Sequence, residues 1–312
     1  MVTPRILVVG SINIDLVALT ECLPAPGETV TGGTLLINHG GKGANQAVAA
    51  RRLGAEVRFI GCVGDDTFGP PLRQAMANEG IDVEGLTTIP GIHSGTGLIV
   101  VDRAGRNQIA VASGANMRLT VDWIARFSAA FAWAQVVLCQ LEVPLDTVLW
   151  TLQTARQHGA ITVLNPAPAQ PLPPAIWPLV DYLTPNDIEA AQAAGVPCVT
   201  LENAAAVAQA LVARGPRVVI LTLGDQGAFI RTRDDAQHIP ALPVAVVDTT
   251  AAGDAFTGAL AVALAEGQTD AAAIRFANAA GGLTCTQRGA QPSLPSRAQV
   301  EALQGLLQPS AG

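Results

Sequence analysis

Short apolar runs rich in β-branched residues recur along this chain, and longer stretches of helical character separate them. The runs occupy residues 6–9, 57–60, 136–138, 161–164 and 218–221. Apart from Arg58 and Thr162, the runs are apolar throughout, as strands are when both faces of a parallel sheet are covered. The alternation predicts an α/β fold, with a doubly wound, mostly parallel central sheet and helices on both faces.

The segments between the apolar runs carry the helix signals. We predict helices at residues 44–53, 68–79, 121–131, 147–158, 203–214 and 252–265. Gly54, Gly80, Gly159 and Gly215 directly follow four of these segments. Glycine at that position is typical of a left-handed C-terminal cap, because it adopts positive φ without steric cost.

Two stretches, residues 13–38 and 95–112, depart from this alternation. They contain candidate strands, including 95–102 and 107–112, and turns at Pro26-Gly27, Gly32-Gly33 and Gly105. Strands inserted in this way form either a small second sheet that covers an active site or a hairpin at a solvent-exposed edge. Since the chain shows no internal repeat and no linker, we expect a single domain, residues 1–312, with lid strands inserted at about 13–38 and 95–112.

The composition disfavours several classes of function. Hydrophobic residues make up 49% of the chain and charged residues 14%, which is typical of a well-buried globular protein. The net charge of -7 disfavours a nucleic-acid or anionic-membrane partner. The five cysteines lack the spacing of a disulfide framework or a zinc site. No signal-peptide core and no apolar run of roughly 18 residues is present. We therefore expect a cytoplasmic protein.

The segment 247–258, Val-Asp-Thr-Thr-Ala-Ala-Gly-Asp-Ala-Phe-Thr-Gly, places small residues and the carboxylate of Asp254 at the predicted start of a long helix. Small residues let backbone N–H groups approach a ligand closely, and the positive end of the helix dipole favours an anion such as phosphate. Asp254 would repel that phosphate, so its position makes sense if it accepts a proton from a second substrate during phosphoryl transfer. On this segment alone, Asp248 and Asp254 fit equally well as caps of a core helix.

Residues 40–45, Gly-Gly-Lys-Gly-Ala-Asn, precede a predicted helix and contain the only lysine of the chain. A compact ammonium can donate to a sugar hydroxyl where a planar guanidinium would be too wide, although drift on a solvated loop is the alternative. The segment does not match the P-loop, which requires Ser or Thr where Gly43 stands. Residues 10–13 lack the further glycines of the dinucleotide fingerprint. The sequence therefore favours neither a Walker-type ATPase nor a typical NAD enzyme.

Two of these segments resemble the two signatures of the PfkB-type carbohydrate kinase family, and within it the ribokinase group. The first signature is matched by Gly-Gly-Lys-Gly-Ala-Asn-Gln at 40–46, and the second by Asp-Thr-Thr-Ala-Ala-Gly-Asp at 248–254. Further matching stretches lie at 10–15, 26–29, 64–66, 140–142, 165–168, 184–186, 223–224 and 289–293. The resemblance covers nearly the whole chain and implies a ribokinase-like fold with a small β-sheet lid.

This resemblance implies ATP-dependent phosphorylation of D-ribose at O5, which gives ribose 5-phosphate. Asp254 would be the general base, and the backbone N–H groups of Ala251, Ala252 and Gly253 would form an anion hole. The implied ribose pocket consists of Asn13, Asp15, Gly41, Lys42, Gly43, Ala44, Asn45, Glu142 and Asp254. Such a mixture of carboxylates, carboxamides and one ammonium satisfies both the donor and the acceptor sides of sugar hydroxyls. For Asp15 and Glu142, a turn-capping or surface role is the alternative.

The resemblance also implies that ATP lies across the carboxyl ends of the later strands. The expected nucleotide residues are Asn186, Glu189, Thr222, Leu223, Gly224, Asp225, Gln226, Gly227, Gly253 and Asn278. Asn186 and Glu189 resemble the family's Asn-x-x-Glu motif for Mg²⁺ and phosphate, in which the carboxylate acts through metal-bound water. Asn186 also fits a plain helix cap. Asn278, where related kinases can carry histidine, and the acidic Asp225 leave phosphate donors other than ATP open.

A monovalent cation site is implied as well, with K⁺ as an activator. Its expected residues are Asp248, Thr250, Thr284, Gln287, Gly289 and Ser293. Backbone carbonyls would supply most of the ligands, and the ion would order the anion-hole loop rather than take part in the chemistry. Lids of this group pair across a dimer, so the resemblance implies a homodimer.

Other specificities remain open on the sequence alone, namely a kinase of deoxyribose, fructose, a keto-deoxy sugar acid or a nucleoside. Asn13 and Lys42 favour a small, hydroxyl-rich sugar, and no aromatic residue falls inside a sugar-site motif to stack on a purine. A catalytically silent sugar-binding regulator is a further alternative. It would require a damaged Asp254 or anion hole, and both are intact.

Overall fold

A computed structural model describes residues 3–306, and thirteen strands and ten helices divide this part of the chain. The strands are β1 Arg5–Val9, β2 Asn13–Leu19, β3 Thr34–Gly40, β4 Glu56–Gly64, β5 Leu86–Ile89, β6 Gly95–Val101, β7 Asn107–Ala112, β8 Val136–Cys139, β9 Ile161–Leu164, β10 Tyr182–Leu183, β11 Val218–Thr222, β12 Ala228–Arg231 and β13 Ala236–Ile239. The helices are α1 Lys42–Arg52, α2 Gly69–Asn78, α3 Val121–Ile124, α4 Ser128–Trp133, α5 Leu145–Gln157, α6 Asp187–Ala194, α7 Ala204–Val212, α8 Ala252–Ala265, α9 Asp270–Thr284 and α10 Arg297–Leu306.

Nine strands form the central sheet, in the order β13-β12-β11-β10-β9-β8-β1-β4-β5. Neighbouring strands from β11 to β5 pair in parallel. Near the other edge, β12 pairs antiparallel with both β11 and the edge strand β13. Ile6 and Val8 of β1 join a buried cluster with residues of α1 and α8, whereas Leu7 and Val9 join a cluster with residues of α5 and α7. Both faces of β1 are covered, which explains its uninterrupted apolar sequence and confirms the predicted doubly wound fold.

All five predicted strands are present, but the sequence pattern does not predict β5, β10, β12 or β13. β5 and β10 are four and two residues long, too short for a periodic signal. The edge strands β12 and β13 mix apolar residues with polar ones such as Arg231 and Gln237. Short or half-polar strands of this kind are defined by their neighbours in the sheet rather than by their own sequence.

The helix predictions need two corrections. The predicted helix at 121–131 is interrupted, because α3 ends at Ile124 and a 3-10 turn precedes α4. The pattern also does not predict α6, α9 and α10. In α9 the sequence Gly281-Gly282 has low helix propensity. A Cβ at Gly281 would lie 3.1 Å from the carbonyl oxygen of Ala252, so glycine here permits close approach of α9 to the start of α8.

The second sheet has four strands in the order β3-β2-β6-β7 and accounts for both inserted stretches. β2 pairs in parallel with β6 and antiparallel with β3, and β6 pairs antiparallel with β7. Residues 10–12 connect β1 to β2, and Gly41 alone separates β3 from α1. The small sheet therefore joins the central sheet at the carboxyl end of β1, the edge where open α/β sheets bind ligands.

Within residues 3–306, no helix has both the length and the apolar character that crossing a bilayer requires. All five cysteines are unpaired, as their spacing predicts.

Candidate active site

A cleft of about 180 Å³ opens at the carboxyl ends of the central strands. It is lined by Lys42, Asn165, Ala167, Thr184, Asn186, Glu189, Thr222, Thr249, Ala251, Gly253 and Asp254. Asn165 and Thr184 directly follow β9 and β10, and Thr222 is the last residue of β11. Polar side chains that end successive parallel strands meet at one edge of the sheet, which is why they share this cleft.

The N-terminus of α8 lies at this cleft. Ala251 precedes the helix with a φ of 61°, and it is the one non-glycine residue with positive φ in the part of the chain that the structure describes. Such backbone strain clusters at functional sites. The N–H groups of Ala251 and Gly253 have no acceptor among the described residues, whereas the N–H of Ala252 donates to the carbonyl of Thr249 at 3.2 Å. Two of the three predicted anion-hole donors are thus available to a ligand.

Asp254 lies at the inner wall of the cleft and is 6% exposed. Its Oδ2 accepts a hydrogen bond from Nδ2 of Asn45 at 2.9 Å, and its Oδ1 accepts one from Nε2 of Gln46 at 3.0 Å. Both donors lie near the start of α1. These bonds replace the water that a carboxylate loses on burial.

Lys42 lies among three carboxylates. Burial lowers the pKa of Lys42, but the negative charges of Asp254, Glu142 and Glu189 outweigh it and hold this pKa above its usual value. Glu142 is fixed in turn, because its Oε2 accepts hydrogen bonds from the hydroxyl of Ser11 and, at 3.1 Å, from the backbone N–H of Lys42. The only ammonium side chain of the protein therefore stays charged at neutral pH, between acids from opposite sides of the cleft.

Asn13 and Asp15 lie on β2, outside the lining of the cleft, and Asp15 is close enough to Asp254 to be affected by its charge. Nδ2 of Asn116 donates to Oδ1 of Asn13 at 2.7 Å, so Asn13 presents its own Nδ2 as a donor. The carboxylate of Asp15 accepts no hydrogen bond from a described residue. Burial, with the nearby charges of Glu142 and Asp254, raises the pKa of Asp15 to about 6.

Glycines on neighbouring strands make room for these two side chains. A Cβ at Gly40 would lie 2.1 Å from Oδ2 of Asp15, and one at Gly97 would lie 2.5 Å from its Oδ1. A Cβ at Gly95 would lie 2.1 Å from Oδ1 of Asn13. The strands on both sides of β2 thus lack side chains at the positions where polar groups of β2 need space.

Asn186 and Glu189 form a capping box at the start of α6. Oδ1 of Asn186 accepts from the N–H of Glu189 at 2.8 Å, and the carboxylate of Glu189 accepts from the N–H and Nδ2 of Asn186 at 2.9 and 3.0 Å. Burial raises the pKa of Glu189, against the opposing effects of the hydrogen bond from Asn186 and the charge of Lys42. Each carboxylate oxygen of Glu189 retains a lone pair that can accept a further hydrogen bond, and Mg²⁺ usually keeps several of its waters when it binds a protein.

The predicted nucleotide residues are only partly brought together. Asn186, Glu189, Thr222 and Gly253 line the cleft, whereas Leu223, Gly224, Asp225, Gln226, Gly227 and Asn278 lie outside its lining. A bridge pairs Asn186 with Thr222, which joins two of these segments. Nδ2 of Asn278 donates to the carbonyls of Ile239 and Pro240, both at 3.2 Å, and so anchors the end of β13.

The predicted cation residues lie on two segments next to the start of α8. Oδ1 of Asp248 accepts from the N–H and Oγ1 of Thr250 at 2.9 and 2.6 Å, and its Oδ2 accepts from the N–H of Gly289 at 2.9 Å. Burial would raise the pKa of Asp248, but these hydrogen bonds and the charge of Arg288 outweigh it and lower the pKa.

The other three members of this set do not bond to Asp248. The hydroxyls of Thr284 and Ser293 donate to the carbonyls of Ala280 and Ala290, and Gln287 is exposed. These two hydroxyls are therefore already engaged within the protein. Over residues 3–306, no group of three or more His, Cys, Asp or Glu side chains is arranged to hold a metal ion.

Five polar residues of the site received no role from the sequence. Asn165, Thr184 and Thr249 line the cleft, and Gln46 and Asn116 hold other site residues. A polar residue directly after a buried strand was the available signal for Asn165, whereas Thr184 follows β10, which the sequence pattern does not predict. Gln46 and Asn116 carry no such signal, because their importance depends on the partner that the fold brings to them.

Comparison with known proteins gives a consistent picture. A family model described as pfkB family carbohydrate kinase matches residues 3–297. The chain is 41% identical over 293 residues to a ribokinase of Haemophilus influenzae, a match that covers 94% of this chain and 96% of that protein. It is 36% identical over 292 residues to a deoxyribokinase of Salmonella typhi, covering 93% and 95%. The structure of Arabidopsis thaliana ribokinase complexed with ribose and ATP superposes with a TM-score of 0.89 at 30% identity, covering 97% and 99%.

Asp15→Asn is expected to stabilise the protein at pH 8. Because folding raises the pKa of Asp15 from 3.8 to about 6, its ionisation destabilises the native state above pH 6, and this penalty disappears as the pH falls towards 4. The free energy of unfolding of the variant should exceed that of the parent by about 1–3 kcal/mol at pH 8 and by almost nothing at pH 4, at roughly 1.4 kcal/mol per pKa unit. Urea unfolding at both pH values measures the difference. The exposed Asp234→Asn is the control, and a pH-independent gain at Asp15 would contradict the prediction.

Proposed function

Because the chain belongs to the pfkB family of carbohydrate kinases, we propose that it transfers the terminal phosphate of ATP to O5 of D-ribose. The observation that carries the proposal is the position of Asp254. This buried carboxylate shares one cleft with Lys42 and with unbonded N–H groups at the start of α8. A base, a cation and an anion-binding helix end are the parts that phosphoryl transfer to an alcohol requires.

In this proposal Asp254 accepts the proton of the 5-hydroxyl as that oxygen attacks the phosphorus atom. Transfer through a loose transition state depends on positioning and charge stabilisation more than on a strong base, so a carboxylate suffices. The N–H groups of Ala251 and Gly253 face the charge that develops on the transferred phosphoryl group. Ala252 joins them once its N–H leaves the carbonyl of Thr249.

The sugar side consists of Asn13, Asp15, Gly41, Lys42, Gly43, Ala44, Asn45 and Glu142. Asn13 and Lys42 donate, and Asp15 and Glu142 accept, so each sugar hydroxyl finds a partner of the right kind. The lack of any protein partner for Asp15 supports this role, because sugar hydroxyls would supply the hydrogen bonds that its burial removes.

On the nucleotide side, Asn186, Glu189 and Thr222 would face the phosphates and the water shell of Mg²⁺, which neutralises phosphate charge when it is bound. The loop at 223–227 and Asn278 would contact the rest of ATP. The similarity to a deoxyribokinase makes deoxyribose the second candidate substrate. An assay of ADP release with ribose, deoxyribose, fructose and nucleosides separates these specificities.

Asp254→Asn is expected to lower kcat about 100-fold or more, as the loss of a general base does, while ribose binding in calorimetry changes little. Asparagine keeps the size of the side chain, so the fold should be retained, but its Nδ2 would face the donor of Asn45 or Gln46 and lower the thermal midpoint. Turnover within about tenfold of the parent, roughly 1.4 kcal/mol, would refute the role of Asp254. The exposed Asp234→Asn serves as the control. A variant and parent that both bind ribose without turnover would instead indicate a sugar-binding regulator.

Replacement of K⁺ by Na⁺ or choline at constant ionic strength is expected to lower the initial rate severalfold. The proposed ion bridges the loop that carries Asp248 and the segment after α9, and it would order the N–H groups next to Ala251. The rate is measured in the three chloride salts with saturating ribose and ATP. Equal rates in all three would remove the cation site from the proposal.

We further propose that residues 1–312 form one cytoplasmic domain that dimerises through the second sheet, which acts as the lid. Apolar side chains project into solvent from both faces of this sheet: Leu35 (61% exposed), Ile37 (57% exposed) and Leu98 from one face, and Ile109 and Val111 from the face that carries Asp15. An apolar area of this kind on edge strands is typical of an interface. Covering it would also hold the lid over the site and exclude water from the transfer.

Sedimentation velocity is expected to show a dimer for the parent protein and a monomer for Leu35→Glu/Ile37→Glu, because two carboxylates in the interface would be desolvated without partners. Ile188→Glu changes an equally exposed apolar residue outside the lid and should stay dimeric. A monomeric parent with full activity would exclude dimerisation as a requirement.

A further inference from the structure

A chain of buried carboxamides lies behind Asp254, on the side away from the cleft. Gln46 and Gln140 are both fully buried. Nε2 of Gln140 donates to Oε1 of Gln46 at 2.6 Å, and Nε2 of Gln46 donates to Oδ1 of Asp254 at 3.0 Å and to Oδ1 of Asn165 at 3.1 Å. Gln46 thus uses both of its amide hydrogens and accepts one hydrogen bond in return. Neither glutamine lines the cleft.

This arrangement fixes which end of the Gln46 amide faces the carboxylate. A flipped amide would place Oε1 against the oxygens of Asp254 and Asn165, and Nε2 against the Nε2 of Gln140. Both contacts are repulsive. The hydrogen bond from Nε2 of Gln140 to Oε1 of Gln46 therefore favours the amide orientation in which Nε2 of Gln46 donates to Asp254. Gln140 is held by its hydrogen bond to Gln46, whereas its Oε1 has no partner among the described residues and occupies the space that glycine leaves at position 10.

A carboxylate rotates easily about its Cβ–Cγ bond, so hydrogen bonds must define its plane. Asn45 and Gln46 each hold one oxygen of Asp254. Asn45 also belongs to the proposed sugar pocket, and its buried Oδ1 has no partner among the described residues. Gln46 is enclosed by protein and has no ligand to bind, so it holds Asp254 in the same way in every state of the site.

We propose that Gln46 is a positioning residue, which with Gln140 behind it fixes the carboxylate of Asp254 for removal of the proton from the sugar hydroxyl. The proposal rests on the role of Asp254 proposed above. A purely structural role, in which the two glutamines only satisfy one another between α1 and the end of β8, predicts a loss of stability without a specific loss of turnover. The two roles are therefore separable by kinetics.

Gln46→Met is expected to lower kcat tenfold or more and to leave KM for ribose and for ATP within threefold. Methionine has a similar length and flexibility but no donor, so the carboxylate of Asp254 loses its fixed orientation while the sugar and nucleotide contacts remain. A fall in kcat without a change in KM marks an interaction that acts in the transition state. Steady-state rates with each substrate varied give both constants.

The matched control is Gln135→Met. Gln135 also bridges two segments, accepting from the N–H of Arg5 at 3.0 Å and donating to the carbonyl of Ala265 at 3.3 Å, at the opposite end of the central sheet. Its replacement should lower the thermal midpoint and leave kcat unchanged. The comparison separates a general loss of stability from a loss of alignment at Asp254.

A double-mutant cycle connects the effect to Asp254. In an Asp254→Asn background, Gln46→Met is expected to change the residual rate less than threefold, because the carboxylate that Gln46 positions is already gone. Equal losses in both backgrounds would overturn the proposal, and so would a kcat of Gln46→Met within threefold of the parent. Neither result would affect the proposed role of Asp254 as the general base, provided that Asp254→Asn itself shows the expected large loss of kcat. Full activity of Asp254→Asn would instead refute the proposed role of Asp254, and absence of ribose phosphorylation by the parent protein would refute the proposed function.

If Gln46→Met does not fold, Gln140→Met decides the question. This change keeps Gln46 and removes only the donor that locks its amide, so kcat should fall about threefold or more at unchanged KM for ribose. Thermal unfolding and ribose calorimetry verify that the variant is folded. A folded Gln140→Met with parental kcat would contradict the proposal.

Discussion

The carboxylate of Asp254 is buried at the start of α8, and amide donors of α1 compensate for its burial. This interaction requires the two helices to touch at backbone distance. A Cβ at Gly258 would lie 2.8 Å from both the Cβ of Ala49 and the carbonyl oxygen of Gln46. A larger residue there would separate α1 from α8 and withdraw the donors from the carboxylate. Helix packing in the core thus determines the geometry of the site.

The charges of the site follow from the same packing. Burial lowers the pKa of Lys42, but the charges of Asp254, Glu142 and Glu189 raise it above its usual value. Burial, with the charges of Glu142 and Asp254, raises the pKa of Asp15. A polyphosphate would be repelled by these carboxylates. The N-terminus of α8 supplies partial positive charge, and the proposed Mg²⁺ and K⁺ would supply the rest. The proposed transfer from a polyphosphate in this acidic cleft would therefore depend on bound cations.

The central strands and the two signature segments could be predicted from the sequence because their signals are local. Residues 6–9 are apolar because both faces of β1 are covered. In 248–254, the small residues and the two aspartates of the signature are contiguous in the sequence. β10, β12 and the interruption between α3 and α4 could not be predicted, since neighbours in space define them. The same limit applies to Gln46 and Asn116, whose partners lie 208 and 103 residues away.

Steric space, as well as hydrogen bonding, determines how the small sheet is positioned at the site. Gly40 and Gly97 flank the carboxylate of Asp15 from β3 and β6, and side chains alternate between the faces of a strand. A shift of either strand by one residue would turn Asn38 or Gly97 away and bring a side chain of the other face against Asp15. The register of the sheet therefore depends on the space that the carboxylate of Asp15 requires, although burial disfavours the charged form of this group. Leu35 and Ile37 pair with Ala18 and Leu16 of β2, on the face of the sheet opposite Asp15, so a partner that covered these apolar side chains would support β2 from behind and leave the Asp15 face open.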